Sequence, residues 1–438
     1  MSSELIPDRK YSSKEFWAAR ALLERIKLIA SKTRKSEYAI LGWLMVWMLA
    51  RIPYYCFYTT EVGSASLNML YLMSAPTGGG KSAARKVAKE NFKFATVGWS
   101  CPEPMQAGSG EAIADAFYIK NKVEDADGKM VWQDDWINPN RCRIFYNDEI
   151  SFHKGKAHQN SSTLEATYLS MYSGDLLGRS LAGAKGKEVP ANEYRAIAIF
   201  NAQPENDPFR TDASKASGMP SRLLTLNAVN PDARADYEAV QSVDLSKIDV
   251  FTIPPLGGVG DTFIYRYDAL PEMNAAHAEE DFLASEGLRE YGQSHTLLTR
   301  AKIACVLAAL DGRVSLMIED WHLAGHLIDH SNEMNQAIER IITKAQRSEA
   351  GKLGHILGLR MDAADSSKEL AAIERVAKLL RKHAPVVGYD LSRPIGATEN
   401  VAATKGLSSL ITSRDRDHIE PALTLIYKEL TKAQKEEK

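Results

Sequence analysis

Apolar residues recur at helical spacing early in the chain, at Leu22, Leu23, Ile26 and Ile29, and then run almost unbroken from Ala39 to Ala50. The first run predicts an amphipathic helix and the second a helix buried nearly all round, ended or kinked by Pro53. From about Ser66 to Asn227 the pattern changes to short apolar runs alternating with helical segments, as in a parallel sheet with crossover helices. Four strands are predicted there: Leu70–Met73, Arg143–Tyr146, Ala196–Phe200 and Leu223–Leu226. The polar stretch 120–140 reads as an excursion between elements. Its Asp125-Ala126-Asp127 triplet runs into Gly128, which favours a turn over a metal-binding pair. Residues 228–295 are weakly patterned, with one strand at Asp249–Ile253. Helices are expected over Leu297–Leu310 and from near Asp320, and 345–365 reads as a linker. The last 73 residues (366–438) predict a helix opened by the capping pair Ser366 and Glu369, and a second carrying Ile419, Leu423, Ile426 and Leu430.

Composition narrows the class without choosing a chemistry. With 438 residues, 45% hydrophobic and 25% charged, the chain is an ordinary globular one of several domains. A net charge of −2 excludes a polycation, so any nucleic-acid contact must come from local patches. Cys56, Cys101, Cys142 and Cys305 are far apart with no C-x-x-C pair; this offers neither a zinc ribbon nor a disulfide framework and suits a reducing cytoplasm. The first residues lack a basic region followed by an apolar one, so no leader is expected. The Ala39–Ala50 run is too short to cross a bilayer, and no membrane partner is expected.

Chemistry concentrates after the first predicted strand, in Ala75-Pro76-Thr77-Gly78-Gly79-Gly80-Lys81-Ser82 before a helix-forming segment. Backbone N–H groups of such a loop and helix start have no intrahelical partners and suit phosphate oxygens. Lys81 would reach the β- and γ-phosphates of ATP, and Ser82 would ligate Mg²⁺. The strand Arg143–Tyr146 runs into Asn147-Asp148-Glu149. Asp148 would hold Mg²⁺ through water, and Glu149 would orient the attacking water. The strand Ala196–Phe200 delivers Asn201, with Gln203 as the alternative, where a sensor of the γ-phosphate is needed. Arg222, at a turn after Gly218-Met219-Pro220-Ser221, could be donated to a neighbouring subunit's nucleotide. Between the acidic strand end and the sensor strand lies the Gly-rich basic stretch Gly178–Lys187, whose Arg179, Lys185 and Lys187 suit nucleic-acid phosphates. A further basic cluster, Arg414, Arg416 and His418, is diluted by Asp415 and Asp417.

Taken together, these motifs resemble the helicase/ATPase portion of primase-helicase proteins of phages and integrative plasmids, including those of actinobacteria. The matching pieces are Ser74–Ser82, Gly108–Glu111, Asn147–Glu149, Tyr172–Arg179, Tyr194–Pro204 and Gly218–Arg222. Beyond them come His295–Lys302, Leu310–Arg313 and Glu319–Trp321. The likeness covers about 35–335. It implies an α/β P-loop NTPase with a parallel sheet and flanking helices, working with ATP and Mg²⁺ on single-stranded DNA as a homo-oligomer, most simply a hexamer. It also suggests a second sensor role for Arg300. The domains expected are an N-terminal helical segment (1–60), the P-loop ATPase core (61–230), a strand/linker and helical subdomain (231–350) and a C-terminal helical, alternatively winged-helix, module (351–438). Without a primase-polymerase domain or zinc motif, priming is expected from a separate primase. Ala75 in the loop and Asn147 in the acidic strand depart from the family pattern. The function expected is an ATP-driven helicase or translocase in replication of a phage or mobile element. Two alternatives stay open: a DNA-dependent ATPase that loads, packages or remodels, and a slow nucleotide switch.

Overall fold

A computed structural model of the chain describes residues 11–94, 101–125, 128–148, 161–178, 187–230, 249–251, 266–288, 295–393, 397, 400–409, 411 and 413–436. The chain divides into two compact units, Met1–Thr343 and Lys344–Lys438. In the first, α1 (Ser13–Ala18), α2 (Ala21–Thr33) and α3 (Glu37–Leu49) precede β1 (Phe57–Thr59), β2 (Ser64–Ser66) and β3 (Met69–Ser74). Next come α4 (Lys81–Asn91), β4 (Phe92–Phe94), α5 (Gly110–Asp115), β5 (Tyr118–Glu124), β6 (Met130–Trp136) and β7 (Cys142–Asn147). They are followed by α6 (Ser161–Ser173), β8 (Arg195–Ala202), α7 (Asp212–Ala216), α8 (Met219–Arg222) and β9 (Leu223–Asn227). Then β10 (Asp249–Phe251), β11 (Arg266–Asp268), α9 (Pro271–Ser285) and α10 (Thr296–Leu310) lead to α11 (Ile318–His383), which runs into the second unit. That unit adds α12 (Val401–Ser409) and α13 (Ile419–Glu436) around Val376, Leu380, Leu407, Leu423 and Ile426. Its described residues include helices and no strand, so no wing is seen among them.

All four predicted strands of the α/β portion form, and they make one parallel sheet in the order β7-β8-β3-β9. Every residue of β3 and of β8 is buried, as in a strand covered on both faces. The period of two sorts their side chains between two cores. Met69, Tyr71 and Met73 join Ile197 and Ile199 against α2, α3 and α10, while Leu70 and Leu72 join Ala198 and Phe200 against α5 and α6. Helix α3 lies especially close: a Cβ on Gly42 would stand 2.6 Å from Leu226 Cδ1 and Met73 Cε.

Several elements differ from the sequence reading. The 120–140 excursion is the antiparallel β5–β6 hairpin, its turn closed by the Asp125 carboxylate accepting from Lys129 N at 2.9 Å. Residues 345–365, expected as a linker, are helical and part of α11; the Ala, Leu, Lys and Arg that populate the stretch are strong helix formers and outweigh its glycines. Ser366 and Glu369 consequently fall inside that helix and open nothing. The weakly patterned region holds α9, and β11 joins β1 and β2 in a small sheet.

Two buried cations seal the edge of the sheet where the strands begin. Arg195, fully buried, donates from Nη2 to the carbonyls of Pro53 and Cys56, both at 2.9 Å. Lys302, also fully buried, donates to Asn68 O at 2.9 Å and Tyr172 O at 2.7 Å. Burial lowers both, Arg195 to about 10, and Arg195 and Arg222 depress Lys302 further. Neutral carbonyl dipoles thus meet Arg195 Nη2 and Lys302 Nζ, while among the described residues the buried Arg195 Nε has no acceptor.

A third buried charge ties the N-terminal helices to α11. Asp320 is wholly buried and pairs through Oδ1 with Arg20 Nη2 at 2.7 Å and Arg313 Nη2 at 2.6 Å, while Oδ2 accepts Met317 N at 2.8 Å. Asp320 therefore lies just inside the helix it was expected to open, its carboxylate reaching back to the amide of Met317, the residue before the helix. Removing Asp320 takes from Arg20 and Arg313 the wholly buried carboxylate they share and leaves them the more exposed Glu319 and Asp311. Asp320→Ala should lower the stability of the first unit by about 3–5 kcal/mol, read as a fall in urea midpoint at unchanged m-value; a loss below about 1 kcal/mol would contradict this account.

Candidate functional site

The strands of the central sheet end together where β3 meets the loop 75–80 and β7 reaches Asp148. Backbone geometry shapes the loop. Gly80 takes φ +94°, and a Cβ on Gly79 would lie 2.6 Å from Ala75 Cβ and 2.9 Å from Pro76 O. Only glycine fits either position without strain. Ala75 is buried and bonded through N to Ala202 O at 3.2 Å, so the small residue at the head of the loop is accommodated by packing on β8. Gly80 caps α4, directing that helix's unpaired amides at the loop. Lys81 Nζ folds across it, donating to Ala75 O at 2.6 Å and Pro76 O at 3.3 Å.

Because β8 lies between β3 and β7, it delivers Asn201 between the helix start and the acidic strand end. Three donors converge on one oxygen, Asp148 Oδ1: Ser82 Oγ at 2.9 Å, Asn201 Nδ2 at 2.9 Å and the Tyr146 hydroxyl at 2.5 Å. Asn201 Nδ2 also reaches the Tyr146 hydroxyl at 2.9 Å. The Tyr146 hydroxyl holds the Asp148 carboxyl below its ordinary range; Ser82, Asn201 and the charge of Lys81 act the same way, and partial burial opposes them. Burial and the Asp148 carboxylate together push Tyr146 itself up to about 12.

Tyr146 was not singled out in the sequence, where it reads as the last apolar residue of a strand. Its signal was a hydroxyl-bearing ring two positions before a carboxylate, on the same side of a period-two strand. The ring packs edge-on against Trp43, with centroids 5.4 Å apart, and Arg85 lies 5.4 Å from its centroid. Asn147 takes the other face, buried, donating to the Tyr168 hydroxyl at 3.2 Å. Gln203, the alternative sensor, instead accepts from Asn206 Nδ2 at 3.3 Å.

An ionised carboxylate and a serine hydroxyl in contact form a hard-oxygen pair that fits Mg²⁺. Among the described residues no three His, Cys, Asp or Glu side chains converge, so a cation here would draw its remaining ligands from phosphate and water.

Other expected residues lie elsewhere. Arg222 immediately precedes Leu223, whose partner is Leu70, whereas the loop follows Ser74. About 13 Å of strand separates the two levels, so Arg222 sits at the far edge from its own loop. Its Nη1 donates to Ser217 O at 3.3 Å and Gly218 O at 3.0 Å, and its guanidinium faces the Tyr172 ring at 5.9 Å. Among the described residues its buried Nε has no acceptor. Arg300 is buried against α11, donating from Nε to Trp321 O at 3.1 Å and stacking on that ring at 3.8 Å. Lys187 pairs with Asp134 at 3.0 Å beside the Tyr118 ring. It stands at the neck of the basic stretch, which Leu177 and Val189 close with reciprocal backbone bonds of 3.0 and 2.9 Å. Glu149, Arg179 and Lys185 lie outside the described residues.

The class defined here is a mixed α/β protein whose parallel sheet is flanked by helices. No family model matches the chain, and no curated protein matches it. Among solved structures it is similar to that of a candidate ATPase from Cytophaga hutchinsonii ATCC 33406, at 11% identity over 76% of this chain and 96% of that one, with a TM-score of 0.34. So loose a likeness carries no argument about activity. Among the described residues no helix is long and apolar enough to cross a membrane.

The grip on Asp148 has a pH signature. A carboxyl whose pKa is lowered by the fold contributes stability above its unfolded pKa, and that contribution is lost as pH falls through the folded one. Tyr146→Phe should therefore melt below wild type at neutral pH, with the gap closing once the pH falls below the ordinary carboxylate range. A gap independent of pH in thermal melts would mean that the Tyr146 hydroxyl stabilises the fold through its bond with Asn201 and not through the Asp148 carboxylate.

Proposed function

We propose that this chain is an ATP hydrolase of the P-loop class, acting on single-stranded DNA as a ring of identical subunits. The observation that carries the proposal is the meeting of Ser82, Asn201 and Tyr146 on Asp148 Oδ1, directly beside a glycine loop that only a small ligand-facing backbone would require. Loop amides and Lys81 would bind the phosphates; opening the Lys81 contacts to Ala75 O and Pro76 O frees its amine for the β- and γ-oxygens. Ser82 and Asp148 would hold Mg²⁺, which when bound neutralises charge on the β- and γ-phosphates. Asn201, fixed at the end of β8, would orient the terminal phosphate or the attacking water. Glu149, next to Asp148 in the chain, would accept that water's proton.

Arg222 cannot serve its own loop from the opposite edge of the sheet, and its hydrogen bonds to two neutral carbonyls are easily exchanged. Both facts favour donation to a neighbouring subunit, where a guanidinium would stabilise charge on the transferring phosphoryl. Arg179, Lys185 and Lys187 on the insert ahead of β8 would touch DNA phosphates. In this reading the protein serves replication of a phage or mobile element as a helicase, with a separate primase, and a hexamer is the simplest ring. The pairing of Lys187 with Asp134 favours a second reading, a nucleotide switch whose turnover does not depend on DNA.

ATP turnover with and without single-stranded DNA separates these readings. Wild type should be stimulated by DNA, Lys81→Ala should be inactive under both conditions, and Arg222→Ala should lose about 10³-fold in kcat or more. Hydrolysis indifferent to DNA would overturn the translocase in favour of the switch, and a normal Arg222→Ala would overturn the shared site.

A further inference from the structure

The helices ahead of the sheet carry a lysine to the phosphate loop. Helix α2 ends with Arg34 at φ +55°, so the chain turns sharply and Lys35 N bonds back to Ala30 O at 3.0 Å. Ser36 then caps α3, accepting Ala39 N at 3.2 Å while donating to Asn227 O, the end of β9, at 2.5 Å. Asn230 Nδ2 donates to Lys35 O at 3.0 Å. The turn is thus fixed to the first unit on three sides through its backbone and its neighbour, which leaves the Lys35 side chain to project. It projects onto the loop: Lys35 Cδ lies 3.5 Å, and Nζ 3.8 Å, from where a Cβ on Gly80 would stand. Gly80 has no side chain to hold that amine away from the loop backbone or from the N-terminus of α4. Among the described residues Lys35 takes part in no ion pair.

We propose that Lys35 is a second phosphate-binding cation of this site, directed at the end of the polyphosphate that ADP retains. The sheet order assigns the end. Asp148 and Asn201, which would address the terminal phosphate, stand on β7 and β8, on one side of β3. Lys35 comes from the β9 side, across β3 from that corner. A nucleotide whose terminal phosphate meets Asn201 presents its α- and β-phosphates toward Lys35. Lys81 and Lys35 would then flank the phosphate chain, one following it to the reacting end and the other anchoring the end that stays. Lys35 is a binding residue in this account, and it takes no part in the bond that breaks.

The inference rests on the proposed nucleotide site, and titration of fluorescently labelled ADP and ATP against wild type, Lys35→Ala, Lys35→Arg and Lys81→Ala distinguishes the two. Losing one charge-assisted contact, Lys35→Ala should bind both nucleotides about tenfold more weakly. Its KM for ATP should rise by a similar factor at unchanged kcat. Lys35→Arg should recover most of the affinity. Thermal melts without nucleotide should stay close to wild type, since the side chain is partly exposed and among the described residues takes part in no ion pair. Wild-type affinity in Lys35→Ala would overturn the role of Lys35 and leave the site intact. So would a loss confined to ATP, which would move Lys35 to the terminal phosphate. Failure of wild type to bind either nucleotide would overturn the site and Lys35 together.

Discussion

A parallel strand buried on both faces can offer chemistry only at its ends, and here the order of the strands decides which ends meet. With β8 between β3 and β7, Asn201 emerges between the start of α4 and the carboxylate after β7. Exchanging β8 and β7 in that order would separate Ser82 from Asp148 by less and remove Asn201 from between them. The contacts on Asp148 Oδ1 thus follow from register, with Met73 opposite Asn201 and Asn147 opposite Phe200. Both cores support that register, since a one-residue slip would turn every apolar side chain of β3 or β8 to the wrong face.

The two edges of the sheet are built on different electrostatic terms. Where the strands end, a partly exposed carboxylate is kept ionised by hydroxyl and amide donors. Where they begin, Arg195 and Lys302 are buried among carbonyl oxygens and held below their usual basicity. Arg222 belongs to the second edge, over the same Tyr172 ring that Lys302 approaches at 3.6 Å. The Tyr172 hydroxyl meets Thr299 Oγ1 at 2.8 Å, and that hydroxyl lies 3.3 Å from Ser221 O. The end of α6, which leads to the basic stretch, is therefore packed directly beside the arginine proposed to act in trans.

Much of this was legible in the residues because local rules and tertiary packing agree. The strands around Leu70, Ile144, Ala198 and Leu224 are apolar runs of the right length, and a glycine loop before Lys81 and Ser82 has few other readings. Asp148 and Asn201 could be placed at strand ends for the same reason. Tyr146 was hidden because a tyrosine in an apolar strand reads as core, and only the fold reveals where its hydroxyl points. Lys35 was hidden because nothing in a helical hairpin announces that its turn will be pinned beside Gly80, 45 residues on. The stretch 345–365, expected as a linker, is helix because its Ala, Leu, Lys and Arg outweigh its three glycines.

As proposed, the glycine loop and Arg222 are two halves of a site completed between neighbouring subunits. Mixing Lys81→Ala with Arg222→Ala subunits and measuring ATP turnover tests it most directly. Each variant alone should be nearly inactive. Mixed, some interfaces pair an intact loop with an intact arginine, so turnover should reappear and pass through a maximum as the ratio is varied. Turnover that never exceeds the sum of the two separate variants, in subunits shown to co-assemble, would contradict a shared site.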